Sequence, residues 1–421
     1  MSEWLQCIAC SRKYGELEVR YACDCGNLLS VERDTLLDRN AFDDRLTSRA
    51  PIDVSGVWRF REAVMHVDRV VTHPEGGTRL YQRNGLYFKH EGENPTGSFK
   101  DRGMTVAVTQ AVRVGATAIA CASTGNTSAS LAAYAAQAGL RAIVFVPAGK
   151  VASGKLAQTL AYGATALAIR GDFDTAMRLV RDASDRLGIY LVNSINPWRI
   201  EGQKTIIWEL LQDLRWEPPD WIVVPAGNLG NTSAFGKALR EARANGWIDR
   251  TPRLASIQAE GANPFFRSYV ESFETRHRVA AETVASAIRI GDPVSHDKAV
   301  TAIRETNGIV EQVTDAEILA AKREIDMMGI GCEPASAATL AGVHKLRAAG
   351  VMNEGERIVC VLTGHILKDP EANYRAENIM EIDASIEAVE AALTPHPPSE
   401  HPFDSAARRS GQALPSPRGE G

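Results

Sequence analysis

The chain has 421 residues, 44% hydrophobic and 24% charged, with a formal charge of −5, enough for two or three packed units around a large core. A pI near 6.0 leaves no electrostatic footprint for nucleic acid or for an anionic membrane. No apolar run approaches the ~20 residues of a spanning helix, and the opening MSEWLQC lacks the basic and apolar regions of a signal peptide. Seven cysteines, an odd number, argue for a reducing cytoplasm rather than a disulfide framework.

Residues 1–45 stand apart as an N-terminal module. Cys7-x-x-Cys10 is followed, after twelve intervening residues, by Cys23-Asp24-Cys25-Gly26. The pairs fit either a small zinc-ribbon-like knuckle or a compact hairpin with inert thiols, in both cases with a structural rather than catalytic role. Residues 90–103, HEGENPTGSFKDRG, place Lys100 behind small and hydroxylated residues and one aromatic, Phe99, with an apolar stretch of helical length at 104–114. A lysine held partly desolvated, with its pKa lowered, becomes a carbonyl-trapping amine; a lysine solvated at a helix start is the plain alternative.

From Ala118 the pattern alternates. Strands are expected at 118–123, 141–149, 164–170, 189–193, 221–225 and 357–362, and helices at 128–139, 153–162, 175–187, 200–214, 233–245, 315–328 and 334–349. Strands alternating with helices of this length predict an α/β fold with mainly parallel sheets. Ligands in such sheets bind where strands end and helices begin. Cys121, Cys332 and Cys360 lie in apolar strings and read as core thiols. The catalytic region spans 46–393, with a smaller substrate-side subdomain at about 105–190. The Pro-, Ser- and Gly-rich segment 394–421 is expected to be a disordered tail.

Four strand-end loops carry polar chemistry. Ser123-Thr124-Gly125-Asn126-Thr127 offers hydroxyls, an amide and backbone N–H groups at a helix start, more than a cap requires. Ala226-Gly227-Asn228-Leu229-Gly230-Asn231-Thr232 has the glycines that let successive N–H groups converge on an anion, although glycine-containing turns are common in α/β folds. Asn193, Ser194 and Arg199 cluster amide, hydroxyl and guanidinium donors, suited to a phosphate. Thr363-Gly364-His365 presents a neutral hydroxyl at a sheet edge, and His365 reads as a structural loop histidine. The G-x-x-x-x-G-K frame at 149–155 is followed by Leu156 where a P-loop needs Ser or Thr, and no G-x-G-x-x-G opens a helix after a strand. These patterns support neither an ATPase nor a dinucleotide enzyme.

The segments ENPTGSFKDRG, STGNTSAS, NSINPWRIEGQKT and PAGNLGNTSAFGKAL, with the LTGH turn as a fifth, resemble the fold type II pyridoxal-phosphate enzymes of the tryptophan synthase beta-like superfamily. Among these they are most similar to the threonine synthase family, over roughly residues 50–390. The resemblance implies two three-layer α/β domains, a homodimer, pyridoxal phosphate as cofactor and O-phosphohomoserine as small-molecule substrate. It implies that Lys100 carries the cofactor beside Phe99, that Asn126 bonds the ring hydroxyl, and that Gly227, Asn228, Leu229, Gly230 and Asn231 cradle its phosphate. Thr363 would sit at the ring nitrogen, and its uncharged hydroxyl would leave that nitrogen largely neutral. Ser123, Thr124 and Thr127 would hold the substrate carboxylate. Asn193, Ser194 and Arg199 would hold the substrate phosphate, helped by Lys100 and Asn228. A relative acting on O-phosphoserine (cysteate synthase-like), a serine or threonine dehydratase, and a zinc-ribbon interaction protein on an inactive enzyme fold are the competing readings.

Overall fold

The computed structural model describes residues 2–34, 37–148, 153–171, 173–372 and 379–393. It opens with three short strands, β1 (Glu3–Cys7), β2 (Lys13–Gly15) and β3 (Leu29–Arg33), in an antiparallel sheet of order β2-β1-β3. Alternation along β1 and β3 buries Leu5, Cys7, Leu29 and Val31, the period-2 pattern of a half-buried strand.

The hairpin of β4 (Leu80–Arg83) and β5 (Leu86–His90) turns over Asn84 and Gly85, both at positive φ (50° and 74°), as a two-residue hairpin turn requires. Next come α1 (Lys100–Arg113), β6 (Ala118–Ala122), α2 (Asn126–Ala138), β7 (Arg141–Pro147), α3 (Ser153–Ala161), β8 (Thr165–Ile169), α4 (Phe173–Leu187) and β9 (Tyr190–Leu191). Strands β6 to β9 form a four-stranded, all-parallel sheet of order β8-β7-β6-β9.

The remaining principal elements are α5 (Pro197–Gln203), α6 (Thr205–Asp213), β10 (Trp221–Pro225), α7 (Gly230–Ala244), β11 (Arg253–Ala259), α8 (His296–Glu305), β12 (Ile309–Val313), α9 (Asp315–Met327), α10 (Pro334–Ala348) and β13 (Ile358–Leu362). With β4 and β5 they complete a six-stranded sheet of order β12-β11-β10-β13-β5-β4, parallel except at the β4–β5 edge. Every residue of β6, β10 and β13 is buried, which is why these strands read as continuous apolar runs. Cys121, Cys332 and Cys360 are buried free thiols. Residues 373–421 form a second unit, in which α11 (Ile386–Leu393) is described; the expected tail, 394–421, lies outside the described residues. Among the described residues no helix is long and apolar enough to cross a membrane.

Two expectations change in detail, and strands β4, β5, β11 and β12 and helix α8 had no counterpart in the expectations. The strand expected at 189–193 is only the two residues of β9. The helix expected at 200–214 begins earlier, because Asn196 caps it by accepting from the Trp198 N–H (3.0 Å) with Pro197 in the first turn, and it is interrupted at Lys204. Strand β11 went unexpected because it carries polar residues inside a buried run. Ser256 lies 2.7 Å from the Thr232 hydroxyl, and the Gln258 carbonyl accepts the Phe265 and Phe266 N–H groups.

Candidate active site

The loop between β5 and α1 is held as a strand fragment beyond the end of β13. Ser98 bridges Gly364 in antiparallel fashion, the Phe99 N–H donates to the Thr363 carbonyl (3.0 Å), and the His365 N–H donates to Gly97 (2.9 Å). Asp101 locks the loop internally. Its carboxylate accepts from the Thr96 N–H (2.7 Å), the Thr96 hydroxyl (2.6 Å) and the Ser130 hydroxyl (2.6 Å), while burial pushes its pKa up to about 6. Lys100 opens α1 with its amine 3.5 Å from the centre of the Phe99 ring. Burial, and then the charge of Arg199, lower its pKa to about 7 against the opposing pull of Glu333.

Glu333 is a component that the sequence reading missed. Its buried carboxylate accepts from the Asn126 amide (2.9 Å) and from the Thr363 hydroxyl (3.1 Å), and so joins the start of α2 to the end of β13. Ser336, 3.0 Å from the Thr363 hydroxyl, also accepts the Thr363 and Gly364 N–H groups (2.8 and 3.1 Å). Burial raises the Glu333 pKa. Thr363 therefore stands one hydrogen bond from a carboxyl group, which amends the expectation of a neutral hydroxyl acting alone. In sequence, an acid before Pro334 looks like an ordinary helix-start residue, and nothing in its neighbours marks it.

Residues 227–231 form the turn from β10 into α7. Leu229 adopts φ 62° and Gly230 begins the helix; a non-glycine residue held left-handed is a local strain that usually has a purpose. Asn228 ties the turn down, its carbonyl accepting the Ser295 N–H (3.2 Å) and its side chain the Val294 N–H (3.4 Å). Among the described residues no acceptor takes the backbone N–H groups of Gly227, Asn228, Leu229, Gly230 or Asn231. At the positive end of a helix, such donors form an anion cradle.

Ser123, Thr124 and Thr127 are half-buried around the start of α2. Asn193 fastens that loop from beneath, its amide accepting from the Ala122 N–H (3.0 Å) and donating to the Ala122 carbonyl (3.1 Å). Both ends of the Asn193 amide are therefore engaged with the strand that leads into the loop. Ser194 is half-buried beside it.

Arg199, on α5, is buried; it donates to the Val192 carbonyl (3.2 Å), its Nε has no partner, and no carboxylate pairs with it among the described residues. Burial lowers its pKa to about 10. Helix α5 reaches the lysine helix through two glycines. A Cβ on Gly202 would overlap the Arg102 carbonyl, and one on Gly103 would lie 3.0 Å from the Arg199 carbonyl.

The structure thus brings Lys100, Phe99, Asn126, Thr363 and Arg199 into one linked set. The glycine turn joins through Gln203, whose Oε1 lies 3.2 Å from a Cβ built on Gly230. The unsatisfied groups there include Ser98 Oγ, Asn231 Oδ1, Gln203 Oε1 and Arg199 Nε, all buried without partners. Buried polar atoms of native proteins are normally bonded. Of these orphans, Ser98 Oγ and Arg199 Nε can donate, and two such donors beside a low-pKa lysine and an anion cradle fit a phosphorylated cofactor and a second anion.

Parallel α/β sheets, a desolvated lysine and a helix-start anion cradle define a pyridoxal-phosphate enzyme of fold type II. The family described as "Pyridoxal-phosphate dependent enzyme" matches residues 71–364. Threonine synthase from Methanocaldococcus jannaschii is 45% identical over 406 residues, covering 92% of this chain and 98% of that protein. Chloroplastic threonine synthase 2 from Arabidopsis thaliana is 40% identical, covering 88% of this chain and 78% of its own. The crystal structure of Escherichia coli threonine synthase, 18% identical, superposes with a TM-score of 0.67 over 93% of this chain and 95% of its own, a likeness of fold. The chain belongs to the threonine synthase family.

Proposed function

We propose that the enzyme converts O-phospho-L-homoserine and water to L-threonine and phosphate. Arg199 carries this reading: it is a buried guanidinium without a carboxylate partner among the described residues, near enough to Lys100 for its charge to depress the amine. An unpaired buried cation is costly, and a substrate phosphate relieves that cost. Pyridoxal phosphate, when bound, supplies an electron sink for charge developing on the substrate's carbon skeleton.

Lys100 would carry the cofactor, Asn126 and Thr363 would orient its ring with Glu333 behind them, and the N–H groups of residues 227–231 would hold its phosphate. Ser123, Thr124 and Thr127 would take the substrate carboxylate at the start of α2. Ser194 and Arg199 would grip the substrate phosphate and hold it as it departs. The Lys100 amine, lowered to about 7, can both accept and return a proton near neutral pH, so it is suited to removing the substrate Cα proton.

The test is phosphate release from O-phosphohomoserine and from O-phosphoserine, in the native enzyme and in Arg199→Ala. The expected result is preference for the homoserine ester. Arg199→Ala should lower kcat/KM by about 10–100-fold, chiefly through KM, the scale of a lost hydrogen bond to a charged group. Preference for the serine ester would transfer the reading to the related synthase. An unchanged kcat/KM in Arg199→Ala would favour a dehydratase, which needs no second phosphate site.

A further inference from the structure

We propose that Cys7, Cys10, Cys23 and Cys25 bind one zinc ion, and that the metal-bound module braces both ends of the segment carrying Ser194 and Arg199. The bracing half rests on Arg199 as the substrate-phosphate anchor; the metal half does not.

The four sulfurs lie within 4.8 Å of one another, with Cys7 to Cys25 and Cys10 to Cys23 each at 3.5 Å. Four thiolates about 2.3 Å from a tetrahedral zinc stand about 3.8 Å apart, so little movement closes the site. Each pair sits on a tight turn. Ser11, at φ 59°, follows the first pair and returns its N–H to the Cys7 carbonyl (3.2 Å). Gly26, at φ 84°, follows the second and donates to the Cys23 carbonyl (2.8 Å).

The N–H groups of Ala9 and Cys10 both point at the Cys7 sulfur (3.4 Å each), and the Asn27 amide donates to the Cys25 sulfur (3.5 Å). Donors gathered on sulfur suit thiolates, the form in which cysteine ligates metal. An all-sulfur tetrahedron selects zinc or iron among the common metals. A sheet of three short strands has too little core to hold this shape alone, and a metal supplies the missing cohesion.

The module grips the arginine segment at both ends. Upstream, the Tyr21 hydroxyl accepts the Leu191 N–H (2.7 Å), two residues before Asn193, and the Tyr21 ring meets Tyr190 edge-on. Downstream, Arg33 on β3 donates to Glu201 (2.5 Å), two residues beyond Arg199 on α5. Lys237 bridges the same Glu201 (2.6 Å) to the Val31 carbonyl. The module thereby holds the chain on both sides of Arg199.

The experiment uses the full-length holoenzyme purified in reductant. Elemental analysis should find close to one zinc per chain, released when a mercurial reagent titrates the thiols. Iron in place of zinc would overturn the zinc assignment, and less than a tenth of an equivalent of metal, or Cys7–Cys25 and Cys10–Cys23 disulfides detected by mass after alkylation, would overturn the metal site. The Cys10→Ser/Cys25→Ser double variant, altering the two exposed thiols, should lose the zinc. It should raise the KM for O-phosphohomoserine by about tenfold while keeping the cofactor's absorbance band and most of kcat. Should that variant fail to fold, Arg33→Met decides: it should keep zinc and raise KM in the same direction. KM unchanged in a zinc-free folded variant or in Arg33→Met overturns the bracing role. If Arg199→Ala itself leaves KM unmoved, it is the substrate reading that has failed, and zinc content is unaffected.

Discussion

A single carboxyl, Glu333, sets the charge of the pocket together with Arg199. Both act on Lys100 in opposite senses: the guanidinium depresses the amine and the carboxylate raises it, with desolvation the largest influence. In cofactor-free protein, the pH dependence of Lys100 labelling by a small acylating reagent should show a midpoint near 7. Arg199→Ala should move that midpoint up and Glu333→Gln should move it down. The opposite order would refute the placement of these charges. The same shift has a sign for stability. From about 7 to the ordinary 10.5 the folded amine is neutral while the unfolded one is charged, so the folded state binds fewer protons. Lys100 therefore makes apoprotein stability rise with pH across that window. The sequence announced Lys100, Asn126, the glycine turn and Thr363 because each stands in a run of small polar residues at a strand end. It did not announce Glu333, which takes its role from a fold that brings α10 against β13, and it could not show that the Asn193 amide would be engaged by Ala122.

Elements meet closely where chemistry needs them fixed. Helices α1 and α5 cross with Gly103 and Gly202 at the contact, which sets the spacing of Lys100 and Arg199. Gly202→Ala places a methyl group against the Arg102 carbonyl, and overpacking of this kind costs about 1–3 kcal/mol. Its activity should fall further than its stability, because the two functional side chains move apart; a fall in thermal stability with unaltered kcat/KM would count against the crossing as the spacer. Behind the crossing, Glu209 on α6 takes Arg102 (2.7 Å), Lys89 (2.8 Å) and Arg59 (3.0 Å), all buried. Glu209→Gln leaves Arg59 without a carboxylate partner and leaves Arg102 and Lys89 with one each, Glu91 and Asp213; loss of one partner from a buried pair costs about 3–5 kcal/mol. A clear drop in denaturant midpoint is expected, and an unchanged midpoint would refute the network's importance. Most helices and the buried strands β6, β7, β10 and β13 were legible from period and apolar content, while β5, β12 and α8 were not. The polar strand β11 and the interruption at Lys204 were not, since both depend on partners far along the chain.

At the scale of the molecule, two parallel sheets divide the work. The four-stranded sheet presents Ser123, Thr124 and Thr127, while the six-stranded sheet presents Thr363 and the glycine turn, with Lys100 at the start of α1 just after a loop fastened to its β13 end. Alternating strand and helix signals made that architecture readable, because parallel strands demand crossovers. The strand order was not readable, because it is a matter of which distant strands pair. The N-terminal cysteines were visible as a pattern, yet their seat against α5 rests on ion pairs that no spacing encodes.

That strand order has a consequence for how the enzyme is made. Strand β5 is fastened to β13, and Ser98 to Gly364, so the loop before Lys100 has no edge to join until almost the whole catalytic region exists. At about 5–20 residues per second, the ribosome leaves the nascent lysine without that support for on the order of 10–50 seconds. Closing so long a loop is also intrinsically slow. Lys100 therefore gains this support only late in synthesis, after β13 has emerged.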